Sequence, residues 1–339
     1  MGKKRKVKER ARAKAKAKVK GKRKSKRASK ERTSPLPIPD RRAMERTLAD
    51  LHKHLDEQVF ESEEEVNAYL QQLLGSDGSI PDVPARTPLE EAQNLMYDAW
   101  EARGSRRVQL ARQSLEISPD CADAYVLLAE ETARSVAEAR QFYEKGVAAS
   151  ERTLGPEIFE EDLGHFWGIL STRPYMRARR GLADCLWAMG EHDEAIQHYR
   201  DMLCLNPGDN QGIRYTLAAC LLETSRDDEL RVVFENEEYA EDCSADWLFT
   251  WALLEFRRCG DCAKARARLK TALEWNPHVP EFLLGRRRLP RHLPEYIEFG
   301  GESEAINYCV GFAKGWQATP GAIEWLECVM RGRPEEPGP

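Results

Sequence analysis

The stretch that decides the fold is GEHDEAIQHYRDMLCLNP, residues 190–207. A related stretch, GDCAKARARLKTALEWNP, follows seventy positions later at residues 260–277. Both begin with Gly, carry Ala at the sixth position and end in Asn-Pro. Gly adopts a positive φ at little cost, and Pro stops a helix because it has no N–H. Each stretch therefore predicts one helix that follows a glycine turn and ends before proline.

The interval between the two stretches indicates a repeat of helix pairs. Seventy residues are two periods of 35, and residues 210–240 supply the unit between them. Ala195 and Ala265 are small enough for their helix to cross close to the helix before it, while Leu203 and Leu273 are predicted core contacts. Such units bury a core only by stacking on their neighbours. The predicted fold class is therefore all-α, a helical-repeat solenoid.

This pattern resembles the tetratricopeptide repeat, a helix pair of about 34 residues. The positions of the first unit that fall on its pattern are Leu182, Ala183, Ala195, Tyr199 and Pro207. Two signature positions of the first helix depart from it, since Arg179 replaces the usual Trp and Ala183 the usual Gly. The resemblance implies a tetratricopeptide-like solenoid in which the first helix of each pair lines a concave surface.

Helix-start signals divide the rest of the chain. Ser62 to Glu65 and Thr87 to Glu90 each form a capping box, in which the first side chain and a glutamate three residues later satisfy free backbone N–H groups. We predict a tail and linker over 1–39, a helical hairpin over 40–75 and the repeat domain over 88–339. The helices predicted in the repeat domain lie near 88–103, 105–117, 121–134, 136–152, 157–170, 174–189, 192–205, 210–223, 226–238, 245–258, 262–275, 302–317 and 320–330.

The N-terminal tail is strongly basic. Residues 1–32 contain 18 Lys and Arg and two Glu, a net charge of +16, while the remainder carries −21. With almost no apolar side chain the tail cannot form a core, so we expect it to be disordered. One reading is an arm that contacts RNA or DNA without sequence specificity through residues 1–32 and releases it as salt rises. The other is a solubilising extension with no dedicated ligand.

The sequence also indicates where the protein is located in the cell and the redox state of its cysteines. It has no apolar run of about 18 residues, so no membrane span is predicted. No apolar segment follows the cationic start, which argues against a secretory signal. We expect a cytoplasmic protein, or a nuclear one if the source is eukaryotic, because KKRKV at residues 3–7 has the character of an import signal. Nine scattered cysteines indicate reduced thiols.

The candidate binding residues are mostly arginines. Arg177 and Arg180 are three apart near the start of a predicted first helix, Arg173 precedes them, and Arg214 has a similar place in the next unit. Guanidinium groups favour carboxylates and phosphates. We therefore predict a groove that binds a protein or acidic peptide; the alternative is a solvated basic face paired with nearby Asp and Glu.

Two further groups permit a chemical role but favour a structural one. His165 lies three residues after Asp162 in an aromatic segment, where a metal or acid–base pair is conceivable, but a packing role is commoner. With Trp167 it is kept as a partner-binding candidate. Cys259 and Cys262 form a lone C-x-x-C without a second ligand pair, so a turn with two thiols is favoured over a metal or redox site. No catalytic residue, metal or cofactor is predicted.

The C-terminal part is similar to a known family. The blocks EWNPHVPEFLLGRRRLP, GGESEAINYCVGFAKGW and GAIEWLEC, together with the earlier EISPDCADAYVLLAEE, resemble the suppressor of tumorigenicity 7 family. The likeness covers roughly residues 107–330. Animal members carry membrane segments near the N-terminus, so the chain resembles a soluble, bacterial-type relative. The family implies helical repeats and an interaction role, and it offers no established catalytic residues.

Three functions compete at this point. The first is a non-enzymatic protein-interaction scaffold that uses the concave surface of the repeats. The second is a nucleic-acid-associated protein bound through the basic tail. The third is a metal-dependent or acid–base enzyme built around His165.

Overall fold

The computed structural model describes residue 42 and residues 45–73, 80, 81 and 83–332. The chain divides after Pro39, and all described residues belong to the part that begins at Asp40. The tail predicted to be disordered, residues 1–39, lies outside the described residues. None of the described residues forms a β-strand. No helix in this part of the chain combines the length and the apolar character needed to cross a membrane.

Sixteen α-helices occur in the described residues. They are α1 Glu45–Asp56, α2 Glu63–Leu73, α3 Pro88–Glu101, α4 Ser105–Ile117, α5 Ala122–Thr132, α6 Val136–Leu154, α7 Ile158–Glu161, α8 Arg173–Ala188, α9 His192–Leu205, α10 Ile213–Glu223, α11 Asp227–Phe234, α12 Ala245–Cys259, α13 Ala263–Trp275, α14 Val279–Leu283, α15 Glu302–Ala318 and α16 Ala322–Met330.

The helices pack as successive pairs in a repeat-like arrangement. The pairs are α3 with α4, α5 with α6, α8 with α9, α10 with α11, and α12 with α13, and each pair also contacts the next. We call α3, α5, α8, α10 and α12 the first helices. One large core runs from Phe166 to Val329 and a smaller one from Ala92 to Leu128. The predicted all-α fold with repeating helix pairs is confirmed.

The two stretches that predicted the repeat behave as expected. Gly190 and Gly260 adopt φ of +86° and +64°, and α9 and α13 begin shortly after them. Ala195 and Ala265 are fully buried where these helices pack against α8 and α12. A larger side chain at either position would push the two helices apart.

One predicted helix is wrong. Residues 157–170 do not form a single helix: α7 ends at Glu161, and a 3₁₀ turn over Leu170–Thr172 leads into α8. Between them the Phe166 N–H donates to the Leu205 carbonyl at 3.1 Å, so the backbone bonds α9 rather than its own preceding turn. Phe166 is thereby buried in the core. Tertiary packing has overridden the helical pattern of the segment.

Two other helices of the chain lie against the first helices. α1 packs against α3 and against the 3₁₀ turn that precedes α8. α15 packs against α10 and α12, where the Glu304 carboxylate accepts a hydrogen bond from the Ala245 N–H at 3.0 Å. α1 therefore packs against the first helices at one end of the array, and α15 packs against them at the other end.

Candidate functional site

Arg177 lies at the centre of a buried ion-pair cluster. It is on the first two turns of α8, and its Nη2 and Nε atoms lie 2.7 and 2.8 Å from the two carboxylate oxygens of Asp123 on α5. Its Nη1 atom lies 3.0 Å from Oε1 of Glu45 on α1. The Arg177 side chain is only 9% exposed and that of Asp123 is fully buried. One guanidinium therefore joins three helices.

The surroundings hold this arginine in its charged form. Burial alone would lower the pKa of Arg177, but the carboxylates of Asp123 and Glu45 outweigh that effect and raise it above its usual value. Its guanidinium carbon also lies 5.3 Å from the ring centre of Trp100, which adds a cation–π attraction. A buried charge with this many partners is costly to leave unpaired.

Arg173 and Trp167 belong to the same cluster. Arg173 Nη1 lies 3.1 Å from Glu45 Oε1, and its Nε donates to the Trp167 carbonyl at 2.9 Å. The same guanidinium lies over the Trp167 ring at 5.4 Å. The structure therefore brings three of the six predicted residues, Arg173, Arg177 and Trp167, to the N-terminal end of α1.

Arg180 and Arg214 lie outside the ion-pair cluster and contact other residues. Arg180 Nη1 donates to the Gln211 carbonyl at 2.6 Å. Arg214 is held between Asp209 and Asp242, with both closest N–O distances at 2.9 Å. Binding of a partner by these arginines stays a prediction. The structure adds that a partner carboxylate at Arg173, Arg177 or Arg214 would have to replace one that the chain already supplies.

His165 stands apart from any acidic ligand set. It is exposed on the turn after α7, and its backbone N–H donates to the Asp162 carbonyl at 3.0 Å. Among the residues that the structure describes, no group of three or more His, Cys, Asp or Glu side chains is placed to hold a metal ion. The arrangement around His165 offers no support for an acid–base or metal role.

The expectation of two free thiols at the C-x-x-C turn is wrong. Cys259 and Cys262 are joined by a disulfide that closes the turn between α12 and α13. The glycine turn brings the two Cα atoms to 5.9 Å, within the usual range for a disulfide. The remaining seven cysteines are free thiols.

Sequence reasoning missed Glu45 and Asp123, the two acids of the cluster. They lie 132 and 54 positions from Arg177, and no local spacing links residues so far apart. Asp123 offers one indirect signal, because a carboxylate at the start of an otherwise apolar helix needs a partner once that helix is buried. Glu45 offers none, since an acidic first turn is ordinary for a helix.

Comparison with known proteins supports the family resemblance. Residues 84–336 match the sequence model of a family described as ST7 protein. The chain is 30% identical over 265 residues to the suppressor of tumorigenicity 7 protein-like of Bos taurus, a match that covers 72% of the chain and 48% of that relative. It is 29% identical over 265 residues to the protein of the same name in Gallus gallus, with 72% and 48% covered.

An invertebrate relative gives the same result. The Protein ST7 homolog of Drosophila melanogaster is 29% identical over 265 residues, with 72% of the chain and 49% of that relative covered. The chain spans about half the length of the curated relatives it matches. The match covers every helix from α3 onward and includes Arg173 and Arg177 of the ion-pair cluster.

Proposed function

Because the chain belongs to the ST7 protein family, we propose that it is a non-enzymatic protein-interaction scaffold that binds a partner across its first helices. The names of its relatives denote no chemical reaction. We also propose that the helix pairs are of the tetratricopeptide type, that their first helices form a concave face, and that the protein acts in the cytoplasm. Stacked helix pairs commonly present such a face to other proteins.

The observation that carries this proposal is the binding of Glu45 by Arg173 and Arg177. A carboxylate at the start of one helix is held by two guanidinium groups of a first helix 128 and 132 residues away. Further along α1, Arg46 bonds the Asn94 carbonyl at 3.0 Å, and Lys53 lies 3.4 Å from Glu90. The chain itself thus supplies an example of a helix bound across these positions.

The partner that fits best is an acidic segment. It would place a carboxylate at Arg173 and Arg177 in the position of Glu45, and it would meet Arg180 further along α8. Arg180 is more exposed than the other two. Among the described residues it donates to the Gln211 carbonyl and lies 3.8 Å from the Asp184 carboxylate. Charge-assisted bonds of this kind are stronger than neutral ones and favour a carboxylate over a neutral group.

The test supplies α1 as a separate molecule. A labelled peptide of residues 45–56 is titrated against a chain that begins at residue 80, and binding is followed by fluorescence anisotropy. We expect saturable binding that a Glu45→Gln peptide weakens by about 10- to 100-fold, the usual effect of losing a charged hydrogen bond. The matched chain variant, Arg173→Gln, should weaken the wild-type peptide similarly. Equal affinity for both peptides would refute the proposal.

The basic tail favours a second candidate, contact with a polyanion. Its +16 charge within 32 residues is a feature of the sequence alone, because those residues lie outside the described ones. We propose that they bind RNA or DNA without sequence specificity. Retention of a 20-nucleotide RNA by the full chain should fall steeply between 50 and 300 mM salt and be lost when residues 1–32 are removed. Salt-independent retention would contradict it.

A further inference from the structure

A cavity of about 460 Å³ opens beside the ion-pair cluster of Arg177. It lies between α1, α3, the start of α5, the end of α6 and the segment that leads into α8. Its size falls within the range of ligand-binding clefts in proteins. The apolar side chains that line it are Ala49, Leu89, Ala122, Leu154, Ile169, Leu170 and Pro174.

Two largely buried residues in its lining carry hydroxyl groups that are not hydrogen-bonded to any described residue. Tyr97 on α3 is 6% exposed and Ser150 on α6 is 2% exposed. Ser150 Oγ is fully buried and, within the described ranges, has no hydrogen-bond partner. Tyr97 Oη likewise has no hydrogen-bond partner there, but it is not one of the fully buried atoms. Buried hydroxyl groups are normally hydrogen-bonded, because leaving one unsatisfied costs free energy. Because Tyr97 Oη is not fully buried, we assign it rather than Ser150 Oγ as the donor to a ligand in the cavity.

The charged groups around the cavity are already paired with each other. The pairs are Glu45 with Arg173 and Arg177, Glu90 with Lys53, and Asp120 with Arg152, at 2.7 to 3.4 Å. A charged ligand would lose its hydration and would have to compete with these pairs for a counter-ion. A neutral ligand avoids that cost, so the electrostatics favour an uncharged molecule.

The Tyr97 hydroxyl determines which polar group the ligand should carry. Burial first, and then the nearby carboxylates of Asp123 and Glu45, raise the pKa of Tyr97 above its usual value. The phenol therefore keeps its proton and acts as a hydrogen-bond donor. Its complement is a neutral acceptor such as an amide carbonyl.

We infer that the cavity binds an apolar residue of a partner polypeptide, with the side chain against the apolar wall and the main-chain carbonyl accepting from Tyr97. This inference goes beyond the proposed binding of an acidic segment, because the cavity requires α1 in place with Glu45 paired to its arginines. It therefore concerns a separate, uncharged residue of a partner. An uncharged leucine- or phenylalanine-type residue satisfies the three observations together: an apolar wall, an unused donor and a balanced set of charges.

The test uses capped amino acids as probes of the full chain. N-acetyl-leucine methylamide is titrated to about 10 mM and followed by saturation-transfer NMR, with a dissociation constant expected on the order of 1 mM for a ligand of this size. N-acetyl-glycine methylamide, which lacks the side chain, should show no saturable binding. N-acetyl-leucine, which carries a carboxylate, should bind more weakly than the methylamide.

Two variants test the assigned contacts. Tyr97→Phe keeps the ring and removes the hydroxyl, so it should weaken the leucine probe by about three- to tenfold. Ala49→Phe fills the cavity from the partly exposed side of α1 and should abolish binding. Tyr296→Phe, at an exposed and distant tyrosine, is the matched control and should bind as the wild type does. Thermal melts of each variant establish that it is folded.

The outcomes separate this inference from the proposed function. Absence of saturable binding by the leucine probe, or equal binding by the wild type and Ala49→Phe, would overturn the cavity assignment. Equal binding by the wild type and Tyr97→Phe would overturn the carbonyl contact. The α1 peptide experiment is independent of all three, because it depends on Glu45 and the arginines. If the α1 peptide binds and the leucine probe does not, the scaffold proposal is retained and the cavity assignment is rejected.

Discussion

Replacing Arg177 by methionine should destabilise the protein strongly. Methionine keeps much of the side-chain volume but removes the only guanidinium that contacts both Asp123 and Glu45 among the described residues. Asp123 would keep one donor, Gln93 Nε2 at 3.0 Å, and Glu45 would keep Arg173 at 3.1 Å. A carboxylate with no exposed surface would then be left without a counter-ion.

The expected loss is about 3 kcal/mol in the free energy of unfolding. Removing one partner of a buried ion pair commonly costs about 3–5 kcal/mol, and the contacts that Asp123 and Glu45 retain argue for the lower end. The loss should shrink when Asp123→Asn is added, because the double variant no longer buries an unpaired charge. The double variant should therefore be more stable than the sum of the two single losses predicts.

Urea unfolding followed by circular dichroism measures all four proteins of this cycle. Arg180→Met serves as the matched control, since Arg180 is one turn away on α8, is 35% exposed and bonds mainly a backbone carbonyl. It should cost less than about 1 kcal/mol. If Arg177→Met unfolds at the same urea concentration as Arg180→Met, the cluster does not stabilise the fold and the reasoning is refuted.

Three other predictions follow from single features. Ala195→Leu should cost about 1–3 kcal/mol by overpacking the fully buried crossing of α8 and α9, and an unchanged urea midpoint would contradict the helix-pair packing. Burial first, and the carboxylates of Glu304 and Asp242 next, raise the pKa of Asp246 to about 7. Folding therefore favours protonated Asp246, so the wild type should lose stability relative to Asp246→Asn as pH rises from about 4 to about 7; parallel pH profiles would exclude this. Alkylation in denaturant without reductant should modify seven cysteines, and nine after reduction, as counted by mass spectrometry; nine at the outset would exclude the Cys259–Cys262 disulfide.

The helices were predictable because their signals are local. Thr87 caps α3 by accepting from the Glu90 N–H at 3.2 Å, as the capping box indicates. The glycine before α9 and the Asn-Pro after it likewise act within a few residues. The same reasoning failed for residues 157–170. Phe166 is positioned by a hydrogen bond to α9 and Thr172 by a turn, and sequence spacing reveals neither contact.

The candidate site was predictable only in part. The sequence placed Arg177 and Arg180 near the start of a first helix with Arg173 just before them, and the general preference of guanidinium for carboxylate was correct. The identity of the carboxylates was not available, because Glu45 belongs to a helix outside the repeats. Nor could the sequence indicate the cavity, which exists only because α1 crosses α3 and the start of α8.

The distance along the chain between Glu45 and its arginines has a consequence for biosynthesis. α1 leaves the ribosome before the residues that bind it exist, since Arg173 is 128 positions later. At about 5–20 residues per second, that interval lasts on the order of 6–26 seconds. A helix of twelve residues is marginal in water on its own. We therefore expect α1 to remain unfolded while the first repeats assemble behind it, and to dock only after α8 has been synthesised.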